Sequence, residues 1–505
     1  MFWKKKRLKE AAQHVEPKTI VDLYNQIKDN VDFIQFEHCG NHFSCWISFF
    51  KTLVDVDYVH RDVLSFLYEQ DVDSLNDIQK RLPIEKILKT TDLSTIQYRL
   101  LKGYIIIQKN KSDAECLIIP MTNVEGRQIG EPKTETSVMG PKESFVESID
   151  TNINLMRKRL PIPQFRVEEV RIGKISKTRV CTMYIRGIAN DENVHTVRQR
   201  LQDLEVSDLT DTILLAQLIG DNSQSPFPQF IDSERPDRTA TAIYEGQIAV
   251  FIDGSPNAII LPSSITKFFS SIDDYFLPWY LATAYRVLRV AAVSLSTLSS
   301  SIYVALLTYH YQLIPENLLG PLIASRSLVP FDPATEALIL EVMIELLREA
   351  GARLPTKVGQ TMSIVGGIVI GTASVQAGMT SNVLLIIVSI SALGSFIIPN
   401  YRMATAIRFL RFPFILSAQL LGLLGIAFCL TFLTAHLLKL TSLGRPFLEP
   451  YYPLRVTDLK DTIFRAPNKY QTTRPLFLRP GDAAKRNQNR SAEKRGKPSR
   501  DIDES

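Results

Sequence analysis

Hydrophobic positions change their spacing along this chain. Up to about residue 270 they form short runs broken by polar and charged residues; from about 275 to 440 they merge into long apolar blocks. Residues 358–401 hold no charged side chain over forty-four positions. Roughly 20 apolar residues cross a bilayer, so the block predicts two helices, at 362–378 and 382–398. The polar run Gly378-Met379-Thr380-Ser381-Asn382 forms the turn between them. Two further blocks predict spans at 290–312 and 412–438, with Arg402, Arg408 and Arg411 crowding the loop before the second. Residues 272–289 mix aromatic and basic side chains, the pattern of an interfacial helix leading into the first span.

Residues 334–350 form a different kind of helix. Asp332 and Pro333 supply its N-cap and first position. Glu341, Glu345 and Arg348 fall on one stripe of an otherwise apolar surface. Carboxylates beside membrane helices are costly unless they meet water or a partner. A water-facing or intersubunit role is expected for Glu341 in preference to a local salt bridge; for Glu336 the helix dipole suffices. If 334–350 crosses the membrane, the positive-inside rule places Arg353, Lys357 and the loop arginines inside but the basic tail outside. If it re-enters, the tail is inside and the arginines outside. The reading adopted is a re-entrant or interfacial helix with a cytoplasmic tail.

In 362–378, Ser363, Gly367, Gly371 and Ser374 make a small-residue stripe containing a GxxxG pair. Close helix packing is the usual meaning of such a stripe, and a ring of pore helices needs the same closeness. Val365 and Val369 are candidates for a hydrophobic constriction that gates by dewetting. The hydroxyl-rich face of 290–312, with Ser296, Ser300 and neighbours, is expected to be packed or wetted.

In the first half, the runs 104–107 and 117–119 read as a hairpin, and 167–172 and 180–188 as strands. Residues 144–159, 194–204 and 212–219 read as helices, and 244–252 and 258–261 flank a second hairpin turn. The expected class is α/β or α+β in two soluble subdomains, followed by an all-α polytopic membrane domain. The divisions are 1–45, a variable basic segment; 46–130 and 131–270, the two subdomains; 271–440, the membrane domain; and 441–505, a basic, partly disordered tail. Between the strands, Pro226 and Pro228 stiffen a loop followed by Glu234, Arg235 and Asp237. This loop is a candidate subunit interface, with a plain structural loop as the alternative.

Composition adds mainly exclusions. The net charge of +5 over 505 residues implies no nucleic-acid partner. Lys4, Lys5, Lys6 and Arg7 are followed by no apolar stretch, so the first half is expected on the cytoplasmic side. Five cysteines form no disulfide framework. His38, Cys39, His42 and Cys45 have metal-like spacing but lack the second ligand pair of a usual zinc site, so no metal is expected. Ser264 and Lys267 make an SxxK tetrapeptide without its companion motifs, and no phosphate loop, HExxH or nucleophile elbow occurs. Neither an enzyme nor a cofactor is expected. Two readings remain: an ion-conducting oligomer, or a non-conducting membrane scaffold that relays a signal.

Several runs carry a resemblance. They are Asp221-Asn222, Ser225 to Pro228, Glu234 to Asp237, Gly140 to Glu147, Ile172-Gly173-Lys174, Leu347 to Gly351, Arg353-Leu354-Pro355, Ile364 to Gly367 and Leu410 to Pro413. Together they resemble the A subunit of GerA-type spore germination receptors over about residues 46–480. The resemblance implies a homo-oligomer in the spore inner membrane that opens to monovalent cations when nutrient is sensed. It also implies a transporter-like B subunit, regarded as the nutrient binder, and a lipoprotein C subunit as partners.

Overall fold

The computed structural model describes residues 17–485, apart from 40–42, 70, 71, 73, 123–129, 138 and 468; for 69 and 356–365 it describes the backbone alone. The first half builds two five-stranded sheets of the same design. One joins β1 (Phe33–Cys39), β2 (Ser44–Phe50), β3 (Leu88–Thr90), β4 (Tyr104–Gln108) and β5 (Cys116–Pro120) in the order β1-β2-β4-β5-β3. The other joins β6 (Phe165–Ile172), β7 (Thr178–Ile185), β8 (Ile231–Ser233), β9 (Ile248–Ile252) and β10 (Ala258–Leu261) in the order β6-β7-β9-β10-β8. Every ladder in both is antiparallel, the α+β member of the two expected classes.

Side chains alternate across a strand, and both faces of each sheet are covered. In β4, Ile105 and Ile107 join one cluster with Val59 and Ile78, while Ile106 joins the opposite cluster with Leu23 and Leu100. In β9, Val250 and Ile252 face one core while Ala249 and Phe251 face the other. Strands buried on both faces read as continuous apolar runs, which is why 104–107 and 117–119 stood out. The first unit starts earlier than the expected boundary at 46: α1 (Ile20–Ile27) packs on the sheet, and β1 pairs with β2 along its full length. Cys45 is buried in this sheet and Cys39 is exposed, while residue 42 lies outside the described residues.

Helix α2 (Ile149–Arg159) locks the two sheets together. Its Arg157 guanidinium meets Asp32 at 2.5 Å, both side chains buried, and Asn154 donates to the Thr52 carbonyl at 2.5 Å. On the second unit lie α3 (Asp191–Gln202) and α4 (Pro236–Glu245). The segment 244–247, expected to begin a strand, instead ends α4 at Gly246, whose φ of +102° closes the helix.

The second half is helical: α5 (Trp279–Thr308), α6 (Glu316–Arg326), α7 (Pro333–Arg353), α8 (Thr356–Gln376), α9 (Asn382–Phe396), α10 (Tyr401–Leu421) and α11 (Leu423–Lys439). Among the described residues, α5 and α10 are long and apolar enough to cross a membrane, and α9 and α11 are shorter apolar helices. All but the short α6 run alternately away from and towards the soluble half. At the far end, the Tyr309 hydroxyl donates to the carbonyls of Gln419 and Leu420, Tyr303 meets Ser381, and the Gly378 turn abuts Leu328. At the near end, Arg348 donates to Ser395, Asn400 to Asp232, and Ser225 bonds His436.

Two expectations change here. The single span 412–438 is the end of α10 and the whole of α11, turned at Gly422 with φ +61°. A Cβ on Gly425 would lie 1.9 Å from the Ser417 carbonyl oxygen, so the two helices approach as closely as glycine allows. Arg402, Arg408 and Arg411 are therefore on a helix and not in a loop. The charged helix α7 runs the depth of the layer, from Glu336 at the far end to Arg348 at the near end.

Residues 441–485 form a strap on the second soluble unit. It begins with the hairpin β11 (Thr441–Ser442) and β12 (Arg445–Pro446), where Asp221 accepts from Thr441 and Gly444. It continues through Arg474, which donates to the Tyr244 carbonyl, and Gly481, whose N–H donates to the Ile188 carbonyl. This fold accounts for most of the tail; 486–505 lie outside the described residues.

Candidate functional site

The centre of the helical layer holds a buried polar cluster. Arg411 of α10 meets Glu341 of α7 at 2.9 Å, and each side chain is about 3% exposed. Its other terminal nitrogen donates to Ser296 at 2.6 Å and to the Ser391 carbonyl at 2.9 Å, while Ser300 donates to Glu341 at 2.9 Å. Four helices thus contribute. A buried ion pair needs its remaining donors and acceptors met, and serines of α5 and α9 take up both Glu341 and the second terminal nitrogen of Arg411, while Arg411 Nε has no hydrogen-bond partner among the described residues. This corrects the water-facing or intersubunit expectation for Glu341, which is paired inside its own chain. The hydroxyl face of α5 was legible; its partner Arg411 was not, because seventy residues separate it from Glu341.

Glu336 does more than favour its own helix dipole. Fully buried, it accepts from the Ser381 N–H at 2.6 Å at the start of α9 and lies 3.4 Å from Arg326. At the near end, Glu345 lies between two arginines, 3.7 Å from Arg348 and 3.5 Å from Arg408. The stripe Glu341, Glu345 and Arg348 is therefore one ladder of ion pairs joining α7 to α10.

The small-residue stripe on α8 divides. Ser374 is buried and turned towards Met343 of α7, and a Cβ on Gly371 would sit in ordinary contact with Leu385. Gly367 and Val369 face outward: nothing stands within 4 Å of a Gly367 Cβ, and Val369 is 56% exposed. It is Gly366, beside Leu347, that makes the close approach to α7. The side chains of Ser363 and Val365 lie outside the described residues.

The loop after the short helix Thr212–Leu218 joins the soluble half to the helices. Phe227 is buried against Met403 and Ile407 of α10, with its ring 6.0 Å from that of His436 on α11. Pro226 is exposed and Pro228 buried, and both border a cavity of about 370 Å³ against Tyr401 and Phe409. Glu234 accepts from the N–H groups of Lys133 and Thr134, while Arg235, fully buried, pairs with Asp237 and donates to the Pro141 carbonyl. Glu234 and Arg235 pin residues 133, 134, 137 and 141 to the second sheet and Asp237 holds Arg235, so their partners lie within the chain and the interface role expected for them is not where they are engaged.

A charged collar encircles the base of α5. Asp274 binds both Arg286 at 3.1 Å and Arg289 at 3.0 Å, and Asp461 of the strap takes the other side of Arg286 at 2.8 Å and the Tyr275 hydroxyl at 2.9 Å. Burial pushes the Tyr275 hydroxyl up to about 12, with Asp461 adding to it. Beside it, Glu245 bridges Lys267 at 3.0 Å and Lys485 at 3.2 Å. Burial alone would lower the Lys267 ammonium, but Glu245, Tyr275 and Asp461 outweigh it and hold the group above its usual value. Ser264 bonds Thr266 and Lys267 is committed to Glu245, an arrangement without a nucleophile–base contact. The sequence offered a weak signal for the collar in the clustered aromatic and basic residues of 272–289; the acidic partner from the strap, Asp461, gave none.

One family model, described as Bacillus/Clostridium GerA spore germination protein, matches residues 19–477. Spore germination protein GerQA of Bacillus cereus is 48% identical over 462 residues, covering 92% of this chain and 93% of that one. Spore germination protein GerIA of Bacillus cereus is 44% identical over 463 residues, covering 92% and 69%. A crystal structure of the N-terminal domain of the A subunit of the Bacillus megaterium spore germinant receptor GerK3 matches at 26% identity and a TM-score of 0.37, covering 48% of this chain and 92% of that one. The chain belongs to the GerA family of spore germination proteins.

Proposed function

We propose that the chain is the A subunit of a nutrient-responsive spore germination receptor, and that several copies assemble around an axis lined by α8 to conduct monovalent cations. The observation that carries this reading is that α8 is open on two sides, which lie about 160° apart around its axis. Val369 is exposed and the Gly367 Cβ position is open, on a helix whose main partner within the chain is α7. The open Gly367 end of the GxxxG pair suits the close approach of a second copy. A ring of such helices brings Val369 near the axis, with Val365 and Ser363 on the preceding turns, as a constriction that opens by wetting.

The helical layer is read as a membrane domain. Six alternating traverses are an even number, which agrees with the strap returning to the soluble half. Arg353, Arg402 and Arg408 gather at that same end, so the positive-inside rule makes it cytoplasmic. This removes the conflict between the loop arginines and the basic tail, because the turn at Gly422 adds a crossing. The protein then sits in the spore inner membrane beside a transporter-like B subunit and a lipoprotein C subunit.

Gating is a population shift, in which a partner binds the open state better than the closed one. The Phe227 loop, packed between the second sheet and α10, is the route for that bias. The buried Glu341–Arg411 pair fills the middle of each protomer, which supports a conduit between copies over one through a single chain. Cation flux from liposomes holding the purified chain tests the reading.

A further inference from the structure

A second cavity, of about 460 Å³, lies where the soluble half meets the near ends of α7, α9 and α10. Four arginines border it: Arg238, Arg289, Arg348 and Arg408. Two are neutralised, Arg238 by Glu135 and Arg289 by Asp274. The other two share one carboxylate, Glu345, at 3.7 and 3.5 Å, distances at which no hydrogen bond forms. Arg408 is 6% exposed, and its Nε has no hydrogen-bond partner among the described residues. Arg348 likewise leaves Nε and Nη1 unmet, and its guanidinium stacks 4.4 Å above the Phe396 ring.

Unmet guanidinium donors at a site with one excess positive charge are costly to bury. An anion with several oxygens would satisfy them together, and planar guanidinium groups match phosphate oxygens in pairs. The rim is aromatic and exposed, with Phe396 and Tyr401 each 66% exposed. Such rings belong at headgroup depth.

We propose that this cavity is an anion site for a phosphate-bearing ligand, held by Arg348 and Arg408, with the phosphodiester headgroup of an acidic phospholipid as its source. The lipid source rests on the membrane reading above; the phosphate chemistry does not. A lipid bound there would tie the soluble half to α7 and α10, the helices joined by the ion-pair ladder.

The test uses the full-length chain purified in detergent, with native mass spectrometry reading retention of phosphatidylglycerol, phosphatidylcholine and soluble glycerol 3-phosphate. Phosphatidylglycerol should be retained over phosphatidylcholine. Arg348→Gln and Arg408→Gln should each weaken retention about tenfold, the scale of one charge-assisted hydrogen bond. Glu345→Gln, which removes the competing carboxylate, should strengthen it; this opposite sign separates a site from misfolding. Arg402→Gln, on the same helix but bordering the other cavity, should leave it unchanged. Glycerol 3-phosphate bound as tightly as the lipid, with the same arginine dependence, supports the phosphate site and makes its source soluble; that arm holds even where the chain does not enter liposomes. Equal retention by wild type and all variants overturns the proposal. So does an oligomer that disperses in Arg408→Gln while lipid retention stays intact, which would assign the cavity to a carboxylate of a second copy.

Discussion

Arg411 Nη1 lies 2.9 Å from Glu341 Oε2, each residue almost fully buried, in a contact that joins the middle of α10 to the middle of α7. Neither charge has water to fall back on. Serines on two further helices bond the pair, which acts as a four-way joint in the helical layer.

Removing one partner leaves the other charge buried alone. Glu341→Gln or Arg411→Met should each destabilise the chain by about 3–5 kcal/mol. The double variant should cost less than the sum, since no unpaired charge remains. Thermal unfolding in detergent measures this. Additive losses would mean the two side chains act independently.

The strap should loosen in acid. Burial alone would raise the Glu245 carboxyl, but Lys267 and Lys485 outweigh it and hold it below its ordinary value of 4.5. A lowered folded value contributes stability that is present above the unfolded value and is lost as pH falls through the folded one. Lys267 is shifted the other way, so its contribution stays whole below about pH 10.4 and fades only above it. Proteolysis of 470–485 should therefore accelerate as pH drops below about 4. Glu245→Gln should be cleaved quickly at neutral pH as well. A wild-type strap equally resistant at pH 3 and pH 7 would refute the clasp.

Phe227 connects the soluble half to α10 through apolar contact. Phe227→Ala should cost about 3 kcal/mol or somewhat more, the range for truncating a buried phenylalanine. It should also blunt the response of spores to nutrient at normal protein abundance. Full germination at wild-type sensitivity would remove this loop from the signalling route.

How much of this was written in the sequence depends on the range of the contact. The β4–β5 hairpin was legible because Ile105, Ile106 and Ile107 face Ile119, Ile118 and Leu117 across a short polar turn. The start of α7 was legible too: Asp332 accepts from the Thr335 N–H at 3.2 Å, with Pro333 in the first turn. Gly422 was not. One glycine at φ +61° turns the chain back without changing the hydropathy of the block around it, so two helices read as one span. β1 was missed because its residues, among them Gln35, Glu37 and His38, are mixed, and only pairing with β2 makes them a strand. Arg235 looked like an interface residue because the partners of its buried guanidinium, Ser137 and the Pro141 carbonyl, lie almost a hundred residues earlier.

The central claim is that copies of this chain form the ion conduit. The most direct measurement is potassium flux from liposomes holding the purified chain, with and without its B and C partners, comparing wild type with Val365→Ser and Val369→Ser. Conduction through a dewetted constriction predicts a low resting leak in wild type. A hydroxyl at the constriction should raise that leak, with a preference among cations. No flux from wild type or either variant, in protein shown to be folded and oligomeric, would contradict the claim and leave the chain as a scaffold that relays the signal.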